Sequence, residues 1–214
     1  MRVDKLKPNF MNSEILNHIN KNGFVKIPSL KNEELINIIN FLGKPFHRSE
    51  IKVEENSKKF FKSNKELDLH SDNPNAKFVL LYCVQQSEKG GETSLLDLNP
   101  FFNNLSVNEI EIYKEIAIPI PFYKFSVPVS KTVSEFIYSN DGYYFLPWVI
   151  LPLNSTKNIL AIDKLKSYID HSIKIEFKLK SNDLLIIDNK RMLHGRKKII
   201  ENSYNRNIIR IWIQ

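Results

Sequence analysis

The sequence repeatedly places short apolar, β-branched segments between turn-forming residues, and this pattern limits the folds open to it. No regular β-α-β alternation and no glycine-rich phosphate loop is present, which disfavours a doubly wound α/β fold. We therefore predict a mainly β fold with flanking helices, a double-stranded β-helix (jelly roll). The predicted strands span residues 24–28, 66–70, 78–86, 93–97, 173–179, 184–188 and 206–213, with several short strands within 116–150.

Helices are predicted where apolar residues recur at helical spacing and capping residues stand at the ends. They span residues 13–21, 32–42, 106–116 and 156–171. The third begins at a capping box formed by Ser106 and Glu109. The first two enclose the first strand, so residues 1–45 are expected to form a helix–strand–helix lead-in to a core over 66–214. Residues 1–214 have the length of one domain.

Positive charge is distributed along the chain in two ways. The net charge of +7 comes mostly from scattered lysines, without the clusters or interleaved aromatic residues of a nucleic-acid surface, so no nucleic-acid partner is expected. Arginine is different, because four of the six arginines fall within the last 24 residues: Arg191, Arg196, Arg206 and Arg210. The forked guanidinium group suits bidentate recognition of carboxylates, so this end of the chain is a candidate anion site.

Features that direct a chain to a membrane or to secretion are not evident in the sequence. No apolar run has the length of a membrane span, and the residues after Met1 do not resemble a secretory signal. The single cysteine, Cys83, excludes a disulfide within the chain and fits a reducing compartment. We expect a cytoplasmic protein without a membrane partner.

Two histidines and one carboxylate are candidate metal ligands. His70 and Asp72 stand two residues apart, and on an extended strand residues at this spacing point to the same face. His194, far along the chain, would complete a set of two histidines and one carboxylate, the facial triad of non-haem Fe(II) oxygenases. The alternative is that the His-x-Asp spacing arises by chance and that both histidines are core residues.

Further motifs surround these candidates. Gly90-Gly91-Glu92-Thr93 follows the first pair, Asp188-Asn189 precedes His194-Gly195-Arg196, and Arg206 and Arg210 follow at intervals of 12 and 4 residues. In this order, the motifs resemble those of the Fe(II)/2-oxoglutarate-dependent oxygenases of the taurine dioxygenase (TauD/TfdA) family, which have the clavaminate-synthase-like fold. The resemblance spans nearly the whole chain.

The resemblance implies a role for each matching residue. His70, Asp72 and His194 would be the catalytic Fe(II) ligands, and 2-oxoglutarate and O2 would take the remaining positions on the metal. Arg206 would bind the distal carboxylate of 2-oxoglutarate, with help from the Thr93 hydroxyl. An alternative for Thr93 is that it only begins a strand after the glycine turn.

Two further residues are candidates for substrate binding. Arg210 lies on the same predicted strand face as Arg206, and in relatives this position can reach an acidic group. Asn64 precedes the first ligand strand, where the family often lines its substrate pocket. The alternative for Arg206 is a structural ion pair with Asp183 or Glu201.

The function implied by the resemblance is oxidation of a small molecule with release of succinate and CO2. Hydroxylation of a small polar metabolite, an amino acid or a derivative, is favoured, and the segments 46–66 and 125–150 would have to close the site. Because Asp72 occupies the carboxylate position, hydroxylation is favoured over halogenation. The alternatives are a nucleic-acid or protein demethylase of the same chemistry, and a non-catalytic jelly-roll binding protein.

Overall fold

The computed structural model describes residues 12–54, 57, 60–119, 134–149, 155–200 and 205–214. Within these ranges the chain is mainly β, with two antiparallel sheets packed face to face and helices on the outer sides. The α-helices are α1 (Asn12–Asn22), α2 (Asn32–Leu42), α3 (Asn99–Phe102), α4 (Val107–Glu115) and α5 (Thr156–His171), and a short 3-10 helix spans Phe60–Lys62. The predicted mainly β fold with flanking helices is confirmed. No helix in the described ranges is long and apolar enough to cross a membrane.

The larger sheet has five strands. They are β1 (Phe24–Ile27), β2 (Pro45–Lys52), β4 (Phe78–Gln85), β11 (Leu184–Asp188) and β13 (Asn207–Ile213), in the order β1-β11-β4-β13-β2. Strands β4 and β11 are almost continuously apolar because both faces of this sheet are covered. In β13, Ile208, Arg210 and Trp212 share the face that Leu81 presents toward the second sheet.

The smaller sheet has four strands. They are β3 (Leu67–His70), β5 (Thr93–Asp97), β10 (Ile175–Phe177) and β12 (Met192–Arg196), in the order β10-β5-β12-β3. The pairing of β12 with β3 contains a register shift between His194 and Arg196. Gly195 permits this close approach, because a Cβ atom there would lie 2.6 Å from the carbonyl oxygen of Leu67.

The core consists of three apolar layers. The middle layer lies between the two sheets and includes Leu95, Leu185 and Trp212. A second layer packs α1 and α2 against the outer face of the five-stranded sheet. A third packs α4, α5 and residues of 134–149 against the outer face of the four-stranded sheet. Within the described residues, each sheet is therefore covered on its outer face, and the middle layer is enclosed between the two sheets.

Most predicted elements are present, with two differences. The polar, lysine-rich stretch 46–66, whose sequence indicates a loop with a short strand, begins with most of the longer, eight-residue edge strand β2. Strand β12 was not predicted, because Met192–Arg196 is too polar to resemble a buried strand. Within 116–150, residues 120–133 and 150 lie outside the described residues. The remainder forms two hairpins, β6 (Ala117–Pro119) with β7 (Ser134–Phe136), and β8 (Tyr138–Ser139) with β9 (Gly142–Tyr143).

Candidate metal centre

The structure brings together the three side chains that the sequence singled out as metal ligands. His70 ends β3, Asp72 follows two residues later, and His194 lies in the middle of β12. One possible ligand atom from each lies within 4.8 Å of the others, and all three residues are buried. Nε2 of His70 lies 3.9 Å from Oδ1 of Asp72, and Nε2 of His194 lies 3.6 Å from Oδ2. Such spacing suits a set of neighbouring ligands around one metal ion.

The two histidines meet by strand pairing, whereas Asp72 is placed by a loop. His194 is the cross-strand partner of His70, so their rings share the inner face of the sheet with centroids 4.4 Å apart. Strand β3 ends at His70, and Asp72 is therefore not positioned by strand alternation as expected. Its backbone N–H donates instead to Oδ1 of Asn189 at 2.8 Å. The amide of Asn189 in turn donates to the carbonyls of Asn73 and Ala76.

The protonation state of His70 suits metal binding. Nδ1 of His70 lies 2.8 Å from the carbonyl oxygen of Asp68, which can only accept a hydrogen bond, so Nδ1 carries the proton and Nε2 keeps its lone pair. Burial, followed by the charge of His194, lowers the pKa of His70 to about 3. The imidazole is therefore neutral at physiological pH, the form that binds metals.

Both oxygens of Asp72 already have donors from strand β13. Arg210 donates from Nη1 to Oδ1 at 2.7 Å, and Trp212 donates from Nε1 to Oδ2 at 2.9 Å. Burial alone would raise the pKa of Asp72, but the charge of Arg210 and the nearby His194 side chain outweigh it and hold the pKa below its usual range. The carboxylate is therefore ionised and fixed in orientation.

A small cavity beside the three ligands is lined by cationic and polar side chains. Its volume is about 40 Å³, and its lining includes Thr93, Arg196, Arg206 and His194. Oγ1 of Thr93, Nδ1 of His194 and Nε of both arginines are buried and have no hydrogen-bond partner among the described residues. Buried polar atoms without a hydrogen-bond partner are uncommon in folded proteins. These four polar atoms are therefore available to bind a polar ligand in the cavity.

Arg206 occupies the position expected of an anion-binding residue. It is only 5% exposed, and among the described residues no carboxylate pairs with it. Burial, and then the neighbouring charge of Arg196, lowers its pKa to about 9. Of the two ion-pair partners considered from the sequence, Asp183 pairs with Lys26 at 2.5 Å, and Glu201 lies outside the described residues.

The two candidate substrate-binding residues have different surroundings. Arg210 lines the cavity, but its guanidinium is engaged by Asp72, so in this structure it orients a ligand side chain. Asn64 lies at a bend, where its carbonyl accepts from the N–H of Ile199 at 2.8 Å, and it is not among the residues that line the cavity. A contact of either residue with substrate remains a prediction.

Three residues near the site were not identified as functional from the sequence, and a fourth, Arg196, was named only as part of a candidate anion site. Trp212 contacts the carboxylate of Asp72, and Arg196 lines the cavity. The ring of His47 lies 4.4 Å from that of Trp212, and the ring of Trp148 is 45% exposed and lies 5.0 Å from that of His70. No local motif marks these contacts, because the partners are distant in the sequence.

Solved structures share this fold at low sequence identity. An asparagine oxygenase in complex with Fe(II), 2S,3S-3-hydroxyasparagine and succinate has a TM-score of 0.75 at 12% identity, covering 94% of this chain and 78% of that chain. The non-heme iron oxygenase OrfP in complex with Fe and alpha-ketoglutaric acid has a TM-score of 0.74 at 18% identity, with the same coverage. OrfP with Fe, succinate and (3S)-hydroxy-L-Arg has a TM-score of 0.73 at 19% identity, covering 95% of this chain and 77% of that chain.

None of the curated proteins matches the sequence. Residues 13–212, which include all three candidate ligands and the cavity residues, match the family described as "Taurine catabolism dioxygenase TauD, TfdA family". This chain belongs to that family.

Proposed function

We propose that the protein is an Fe(II)/2-oxoglutarate-dependent dioxygenase that hydroxylates a small polar metabolite, an amino acid or a derivative. The observation that carries this proposal is the convergence of His70, Asp72 and His194 beside Arg206, which is buried and has no carboxylate partner in the described part of the chain. A metal site alone would fit many functions. A metal site next to a site for an anion fits a cosubstrate that binds the metal at one end and a cation at the other.

The residues present fit ferrous iron and 2-oxoglutarate. Two imidazoles and one ionised carboxylate match the ligand preference of non-haem Fe(II), and His70, Asp72 and His194 would hold the ion. Arg206 and the unpartnered hydroxyl of Thr93 would bind the distal carboxylate of the cosubstrate. When bound, ferrous iron together with 2-oxoglutarate and O2 supplies the oxidant for a C–H hydroxylation, with release of succinate and CO2.

The protein's own part is to orient these groups and to exclude water. Strand β13 contributes to the first task, since Trp212 and Arg210 hold the carboxylate of Asp72. Arg206, directly before this strand, lines the same cavity as Arg210. The site borders the apolar layer between the two sheets. A dry, closed site protects a reactive oxidant from side reactions.

The substrate class is proposed from the structural relatives. The asparagine oxygenase is in complex with 2S,3S-3-hydroxyasparagine, and OrfP is in complex with (3S)-hydroxy-L-Arg. A free amino acid or a close derivative is therefore the first class to test.

We further propose that residues 66–214 form a jelly-roll core, preceded by the lead-in of residues 1–45, in one domain. The two antiparallel sheets packed face to face and the TM-scores to the oxygenases support this assignment. We also propose a cytoplasmic location and a small-molecule partner, supported by the unpaired, buried Cys83 and the enclosed site.

The test is an anaerobic titration of the protein with Fe(II) and 2-oxoglutarate, followed by a succinate-release assay with a panel of amino acids. We expect a weak visible charge-transfer band on adding both, and succinate release that rises with particular amino acids. His194→Ala should abolish metal binding, whereas His171→Ala, which removes an exposed imidazole on α5, should not.

The proposal is overturned if the wild-type protein develops no band, or if the two histidine variants bind metal equally. Succinate release on methylated oligonucleotides or peptides, without stimulation by amino acids, would favour the demethylase alternative. Metal binding without any turnover would favour the binding-protein alternative.

A further inference from the structure

The side chain of Arg196, which lines the cavity, forms hydrogen bonds with the backbone of residues 61–65. Its guanidinium donates from Nη1 to the carbonyl of Phe61 at 3.2 Å, and from Nη2 to the carbonyls of Ser63 and Lys65 at 2.6 and 2.7 Å. We call residues 61–65 the roof segment, because Phe61 lines the cavity together with Arg196. The phenyl ring of Phe61 also lies 5.9 Å from the guanidinium carbon of Arg210. One buried side chain therefore fixes the position of this segment over the site.

The charge of Arg196 is not balanced by a carboxylate. The residue is 3% exposed, and its hydrogen bonds within the described part of the chain all go to backbone carbonyls. Burial lowers its pKa to about 10, which leaves the guanidinium charged at neutral pH. A buried cation whose only partners are carbonyls is costly, and a nearby anion would offset the cost.

Arg196 and Arg206 share one cavity. Arg196 is the cross-strand partner of Thr93, so both point into the space between the sheets, where Arg206 approaches from the opposite sheet. Both guanidinium groups keep a buried Nε–H that no atom of the described ranges accepts. Two uncompensated positive charges in one desolvated cavity favour an anion there more strongly than one does, because buried charges are weakly screened.

We propose that Arg196 is a positioning and specificity-determining residue for the cosubstrate. Its charge favours a 2-oxo acid with a second carboxylate over a 2-oxo monoacid, and its forked hydrogen bonds hold the roof segment over the bound acid. This inference rests on the proposed function and deepens it. It assigns to Arg196 a role separate from the direct carboxylate contact proposed for Arg206.

The experiment compares two cosubstrates of equal chain length. The anaerobic Fe(II) protein is titrated with 2-oxoglutarate and with 2-oxopentanoate, which lacks the distal carboxylate, and the ratio of their dissociation constants is measured. Arg196→Met should reduce the preference for the diacid by on the order of tenfold, since one charge is lost from a desolvated cavity. Arg196→Lys, which keeps the charge, should retain most of the preference.

The roof segment supplies a second measurement. It contains Lys62 and Lys65, so trypsin cleavage after these residues reports how firmly it is held. Both Arg196 variants should be cleaved faster there than the wild type, since lysine cannot reproduce the three-carbonyl fork. In the wild type, 2-oxoglutarate should slow this cleavage more than 2-oxopentanoate does, and this comparison requires no variant.

Arg191 provides the matched control. It also donates to backbone carbonyls, those of Asn20 and Lys21, and it pairs with Asp97, but it does not line the cavity. Arg191→Met should lower the melting temperature without changing the preference between the two acids.

The outcomes separate the two proposals. If the wild type binds neither acid, the proposed function fails. If the wild type prefers the diacid and Arg196→Met keeps that preference while losing stability, Arg196 is merely structural and this inference fails. Two outcomes overturn the inference even if Arg196→Met does not fold. One is that both acids slow trypsin cleavage of the wild-type roof segment equally. The other is that the roof segment of Arg196→Lys is cleaved at the same rate as that of the wild type.

Discussion

The hydrogen bond from Trp212 to Asp72 offers a direct test of how the site is organised. Nε1 donates to Oδ2 at 2.9 Å, and both residues are buried, at 1% and 8% exposure. Trp212→Phe removes the donor while keeping an aromatic ring against His47. The variant therefore asks whether the orientation of the carboxylate, and not only its presence, determines metal affinity.

The expected magnitude follows from the geometry. A hydrogen bond to a charged group contributes about 1.5–3 kcal/mol, and removing the partner of a metal ligand commonly lowers metal affinity about 10–100-fold. In the variant, Arg210 still holds Oδ1 of Asp72. We therefore expect the lower end of that range, a loss of about tenfold, equivalent to about 1.4 kcal/mol.

The assay is an anaerobic Fe(II) or Co(II) titration at a temperature well below the melting transition. The matched control is Tyr113→Phe, which removes another buried aromatic donor, the hydroxyl that donates to the carbonyl of Ala161 at 2.7 Å, remote from the site. The control should lose stability but not metal affinity. Unchanged metal affinity in Trp212→Phe, or an equal loss in both variants, would refute the reasoning.

Two further predictions concern the scaffold. Gly195→Ala should lower the free energy of unfolding by about 1–3 kcal/mol and reduce the metal content, because the new Cβ would lie 2.6 Å from the Leu67 carbonyl oxygen and force β12 away from β3. A melting temperature and a metal content equal to those of the wild type would contradict this. The hydrogen bond from Lys164 and those from Ser106 lower the pKa of Glu109 to about 2. The ionised carboxylate of Glu109 therefore stabilises the folded state above the unfolded-state pKa of about 4.3, and this stabilisation is lost as the pH falls toward 2. The difference in melting temperature between the wild type and Glu109→Gln should therefore shrink between about pH 6 and pH 3, and a constant difference would show that the carboxylate charge is not responsible.

Local sequence patterns were reliable where local physics dominates. The helix from 156 to 171 has the predicted bounds, and the capping box of Ser106 and Glu109 forms as expected at the start of α4. Strand β11 also has its predicted bounds, because an apolar run between turns can be recognised without knowing its neighbours. Strand β12 could not be recognised in this way, since its polar residues are buried only because both neighbouring strands and the opposite sheet enclose them.

The same division applies to the site. Residue types and their order along the chain identified His70, Asp72 and His194 as a set, and the structure places them together. The roles of Arg206 and Thr93 stay predictions, but both line the cavity beside that set.

By itself, the sequence determined which chemical groups are available and where most strands and helices lie, because these depend on side-chain chemistry and short-range periodicity. Only the tertiary structure decided what each group contacts. It directed Arg210 and Trp212 to the carboxylate of Asp72, and Arg196 to the roof segment. The reason is that these contacts join residues more than 130 positions apart, and their geometry exists only after the two sheets have packed face to face.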